Sequence, residues 1–170
     1  MNKSSEGRGQ STWAGPQRGE TALSHQATDG GLAESDQASV KVLELHRYAH
    51  GLVITIDASA TTGDVNAGEA LRAGMTSTAG GPGPTVLRFR AHLKGGATAS
   101  TLDHVLAPAT EPEPPYFAAL GGPGFKIDEN RVSSRQELWL WPTPEPGGLD
   151  IEVSWPEFGI SDAVVSLEVN

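Results

Sequence analysis

The sequence predicts an all-β protein: an antiparallel two-sheet β-sandwich, Ig-like or jelly-roll-like, of about seven strands. Residues 1–38 are expected to be a disordered tail and residues 39–170 the sandwich domain. Three observations lead there. Apolar residues recur at every second position in several segments. Turn signals separate those segments, with Gly and Pro together numbering 33 of 170 residues. No segment carries the 3.6-residue period of a long helix.

The tail is read from composition. Residues 1–38 are mostly Ser, Gly, Gln, Thr and Ala, with Trp13, Leu23 and Leu32 as the large apolar side chains. Such a segment buries too little surface to offset its ordering entropy. Trp13 is the exception in it, either a docking point or, as an isolated tail aromatic more often is, incidental.

Val40, Val42, Leu43 and Leu45 predict a first strand whose alternation slips at Val42-Leu43, the mark of a bulge. Tyr48 to Gly51 reads as a turn. Leu52, Ile54, Ile56 and Ala58 then share one face of a second strand. Thr61 to Pro84 reads as a polar interlude, with one or two helical turns over Asp64 to Ala73.

Thr85 to Lys94 is the cleanest alternation. Leu87, Phe89, Ala91 and Leu93 face one way, and Arg88, Arg90, His92 and Lys94 the other. The basic row is expected to lie opposite the row Asp150, Glu152 and Ser154, since opposite charges across strands attract. Ala97 to Val105 reads as a short strand. Ala107 to Gly124, rich in Pro, reads as a long loop anchored by Tyr116 and Phe117. Phe125 to Ile127 starts a strand, Ser133 to Trp141 forms one, and Ala163, Val165, Leu167 and Val169 mark the last.

Glu137 to Trp155 is read as the central hairpin. Leu138 to Trp141 is apolar on both faces, as in a strand covered on both sides. Pro142, Pro144 and Pro146 cannot donate to a ladder, so pairing stops at Trp141. Leu149, Ile151, Val153 and Trp155 form the apolar face of the second arm.

The formal charge is −9, and residues 101–170 alone account for it, with three basic and twelve acidic side chains. That balance argues against a phosphate backbone as partner. No stretch is long and apolar enough to span a membrane, and Met1 to Gln10 lacks the apolar region of a signal peptide. Cysteine is absent, which excludes disulfides and thiolate chemistry and fits a cytoplasmic location.

Few residues point to chemistry. His46, His50, His92 and His104 do not follow a metal-ligand spacing, so no metal and no cofactor are expected. Asp103, Asp128, Glu129 and Glu137 are the acids from which a catalytic pair or a calcium site could be drawn, but without a calcium-loop pattern they read as hydrated surface acids. There is no Gly-x-Ser-x-Gly, and the Gly-rich stretches at 80–83 and 121–124 lack the features of a phosphate loop. Trp139 and Trp141 share one face of a strand. That face is either a packed surface or, if open, a platform for a sugar or a protein, with Tyr116 and Phe117 as further candidate binding residues.

From Ser39 onward the chain resembles an uncharacterised family of small actinobacterial proteins. The pieces that carry the likeness are Tyr48-Ala49-His50-Gly51-Leu52, Leu87-Arg88-Phe89 with Gly95-Gly96, Gly121-Gly122-Pro123-Gly124, Glu137 to Pro142, and Ser154-Trp155-Pro156 with Gly159-Ile160. It departs where the relatives run on into an Ala-rich C-terminal helix. The resemblance implies no activity and no catalytic residue. The function expected is that of a non-enzymatic protein-interaction or structural module whose partner is another protein. The alternative is a ligand- or carbohydrate-binding sandwich using an exposed Trp face.

Overall fold

The computed structural model describes residues 11–28, 31–61, 87–104 and 108–170. They form two antiparallel sheets. Ten strands are present among them: β1 (Ser24–Ala27), β2 (Gly31–Glu34), β3 (Ala38–Arg47), β4 (Leu52–Thr61), β5 (Arg88–His92), β6 (Thr98–Ser100), β7 (Tyr116–Asp128), β8 (Arg131–Trp141), β9 (Gly147–Trp155) and β10 (Ile160–Val169). The larger sheet runs β1-β3-β4-β8-β7, with β2 pairing another stretch of β3, and the smaller runs β10-β9-β5-β6. The possible helical turns over Asp64 to Ala73 fall outside the described residues. No helix among the described residues is long and apolar enough to cross a membrane.

The two-residue period explains how the sheets meet. Leu52, Ile54, Ile56, Ala58 and Ala60 of β4 join Phe89 and Ala91 of β5 and Leu149, Ile151, Val153 and Trp155 of β9 in one buried cluster. Each fully buried Leu, Ile or Val contributes about 1.5–3 kcal/mol. The slip expected at Val42-Leu43 is a register shift between Val42 and Glu44 against β4. The basic row of β5 lies opposite β9, with Arg88 across from Ser154, Arg90 from Glu152 and His92 from Asp150.

Four expectations need correction. The sandwich does not begin at Ser39. β1 and β2 both pair with β3, and Trp13 is 7% exposed. Composition missed them because four-residue edge strands carry too little apolar pattern to register. Secondly, Glu137–Trp155 is not a hairpin. β8 pairs with β4 and β7 in the larger sheet, while β9 pairs with β5 and β10 in the smaller. The proline-rich link carries the chain from one sheet to the other, and the hairpin partner of β9 is β10, joined through the short 3-10 turn Pro156–Phe158. Thirdly, the loop expected over 107–124 ends early. β7 starts at Tyr116, and its register against β8 shifts between Leu120 and Gly124. An edge strand tolerates the Gly-Pro stretch there because its outer side needs no ladder partner. Finally, the described residues alone form ten strands rather than about seven.

Candidate functional site

The outer face of the larger sheet gathers the most distinctive side chains. Registers across five strands align His25, His46, Val53, Trp139 and Ala118 in one transverse row. Alternation puts Glu44, Thr55 and Trp141 on the same face, because they lie two residues from members of that row. Among the described residues no second sheet packs here. The N-terminal segment does so instead.

Trp13, Val53, Tyr116 and Trp139 form a second buried cluster, flanked by Tyr48, Ala118, Leu120 and Trp141. The Trp139 indole donates Nε1–H to the main-chain oxygen of Trp13 at 2.9 Å. Trp13 meets the Tyr116 ring edge-on, with centroids 5.7 Å apart. Tyr48 meets Trp139 at 6.1 Å. The cover is fastened by Glu20, whose carboxylate accepts from the amides of Gln17 at 2.8 Å and Ala49 at 3.3 Å. Burial pushes the Tyr116 phenol above its usual pKa. It does the same to Tyr48, helped by the negative charges of Glu137 and Glu20.

The four expected binding residues therefore part ways. Trp139 is 0% exposed, and a stacking platform needs an uncovered ring, so Trp139 does not offer one in this structure. Trp141 is half-buried at the margin of the cluster. Tyr116 lies under the cover, and Phe117, one residue on, points into the sandwich core. Only Trp13 could have announced this arrangement from sequence, as a large aromatic in an otherwise polar segment.

Beside the cover stands a cluster of His25, Glu44 and His46. One ligand atom from each lies within 4.8 Å of the others. His46 Nε2 is 3.1 Å and His25 Nε2 is 3.8 Å from the same Glu44 oxygen. The hydrogen bond with His46 holds the Glu44 carboxyl below the usual carboxylate range, with smaller help from the charges of His25, His46 and Arg135. The other three histidines weighed in the sequence lie apart from this cluster. His50 is in the β3–β4 turn, His92 is on β5, and His104 follows β6 and packs against Tyr116 at 5.2 Å. His25 escaped notice because it lies in the supposed tail.

The smaller sheet carries a groove of about 380 Å³ on its outer face, lined by Arg88, Arg90, Asp103, Glu152, Ser154 and Asp162 among others. Its charges largely answer one another. Arg90 Nη1 lies 3.5 Å and His92 Nε2 3.0 Å from the Glu152 carboxylate, and Arg88 donates to Ser154 Oγ at 3.3 Å. The acids considered as a catalytic or calcium set sit on separate elements. Asp103 accepts from the Ser100 amide at 2.8 Å, Asp128 ends β7, Glu129 is in the following turn, and Glu137 is on β8.

A scan against protein-family models finds no match to this chain, and searches of curated proteins and of solved structures find none either.

Proposed function

We propose that the protein is a non-enzymatic interaction module that receives an extended segment of another protein along β7. The observation that carries this reading is the second half of that strand. Residues 124–128 are exposed on both faces, Ile127 at 69%, and β7 is the terminal strand of the larger sheet among the described residues. A terminal strand turns backbone N–H and C=O groups away from its one neighbour, a template on which a peptide adds as a further strand. Phe125 and Ile127 project to one side and Lys126 and Asp128 to the other, so an incoming strand would be selected by alternate side chains. Lys126 and the register shift at Leu120/Gly124 are devices that keep such an edge from pairing indiscriminately. The dispersal of the candidate catalytic acids supports a role without chemistry of its own. The lack of cysteine supports a reducing, cytoplasmic setting.

Selection from a random-peptide display library against the whole chain tests this. Enriched peptides should alternate apolar residues, bind the parent chain and protect the β7 amides from hydrogen exchange. They should lose binding to an Ile127→Lys variant whose circular dichroism is unchanged. Peptides that bind the variant equally well, or no enrichment at all, would overturn the reading.

A further inference from the structure

The geometry points to a divalent transition-metal site, of zinc type, built from His25, Glu44 and His46 on the outer face of the larger sheet. Two imidazoles and one carboxylate are a donor set that zinc accepts, with water completing the coordination. The backbone makes the triangle. His25 on β1 is the registered partner of His46 on β3, and directly paired residues hold their Cβ atoms about 4.5–5.5 Å apart. Glu44 shares the face of His46 because it lies two residues along the same strand. Across from Glu44 stands Ala27, and the Glu44 side chain is 45% exposed.

The distances suit an ion. Tetrahedral ligands at the usual Zn–N and Zn–O lengths of about 2.0–2.1 Å lie about 3.3 Å from one another. The Glu44 oxygen is 3.1 Å from His46 Nε2 and 3.8 Å from His25 Nε2. The two rings are already adjacent, with centroids 4.5 Å apart and tilted by 41°. Small side-chain rotations would aim all three donors at one point. The His25 side chain is 54% exposed, so an ion could enter directly from solvent.

Such an ion would bridge two strands. β1 is four residues long and pairs with β3 alone among the described strands. A metal held jointly by His25 and by Glu44 and His46 would pin β1 in place, and with it the segment that carries Trp13 over Trp139. The ion's part is therefore to fasten the N-terminal cover.

The test is isothermal titration of the untagged full chain with Zn²⁺ alone, paired with thermal unfolding with and without the ion. One Zn²⁺ per chain should bind and raise the unfolding midpoint. His25→Ala and His46→Ala should each weaken binding at least tenfold and abolish the midpoint shift, while His50→Ala in the β3–β4 turn should change neither. Glu44→Gln, which keeps the side chain's size, guards against misfolding and should also weaken binding. Co²⁺ should give the visible absorption of a nitrogen- and oxygen-ligated ion in the parent chain and lose it in His25→Ala. Absence of binding overturns the site, as does binding that survives both histidine changes or that disappears with His50→Ala.

Discussion

The indole of Trp139 donates to the main-chain oxygen of Trp13 across 126 residues of sequence, at 2.9 Å. This bond joins the N-terminal segment to the middle of the larger sheet, and it satisfies the polar atom of a ring that is otherwise wholly buried. Replacing Trp13 by Ala should uncover that ring. The loss should fall below the about 3–5 kcal/mol typical of a Trp removed from a central core, because the cover can detach while the sheets stay folded. Trp155→Ala, in the core between the sheets, should cost the full amount. The two are separated by measurement. Trp13→Ala should redshift tryptophan emission and speed proteolysis within residues 11–20 under native conditions, whereas Trp155→Ala should lower the midpoint of global unfolding.

Gly51 faces the same ring from the β3–β4 turn. A Cβ there would overlap the six-membered ring of Trp139 and sit 2.8 Å from the Leu140 oxygen. Trp139 is fixed by its neighbours and the oxygen belongs to a strand, so neither yields readily. Gly51→Ala should therefore destabilise by about 1–3 kcal/mol, as overpacking does. Chemical denaturation gives the magnitude, and near-ultraviolet circular dichroism should show the disturbed indole.

Both tyrosines should titrate late. The folded-state pKa values of Tyr116 and Tyr48 are raised, for Tyr116 by burial and for Tyr48 by burial first and then by Glu137 and Glu20. A group raised on folding favours the protonated fold. Its contribution is complete below the ordinary value near about 10 and is lost as pH rises through the higher folded value. Ultraviolet absorbance of phenolate should appear above the free-tyrosine range in the parent chain, and Trp13→Ala should bring part of it back down.

The charge row on the smaller sheet should matter little to stability. Arg90 and His92 both reach Glu152, yet the Arg90 side chain is about half exposed, so water and salt screen the pair. Glu152→Gln should cost no more than about 1 kcal/mol. The cost should shrink further as ionic strength rises in thermal unfolding.

Much of this architecture is legible in the alternation. Leu87, Phe89, Ile151, Val153 and Leu167 are all buried, and the apolar run Leu138 to Trp141 does face cover on both sides, with Leu138 and Leu140 toward the smaller sheet and Trp139 under the N-terminal segment. Partnership is not legible in the same way. A strand's period says which side chains are inward, not which strand lies beside it, so β8 and β9 looked like a hairpin although they belong to different sheets. The cover and the His25–Glu44–His46 cluster were hidden for another reason. Both depend on residues 13–27, whose apolar content is too sparse to set a strand period. They are held by contacts with residues far along the chain.

β3 lies between β4 on one side and β1 and β2 on the other. A chain starting at Ser39 would retain the inter-sheet core yet leave that second side of β3 bare along its whole length, with Val53 and Trp139 open to water beside it. Raw hydrogen-bonding edge next to greasy surface is the combination that drives one copy onto another. Residues 11–28 and 31–34 therefore shield both from neighbouring copies, and a chain without them should self-associate more than the parent as concentration rises.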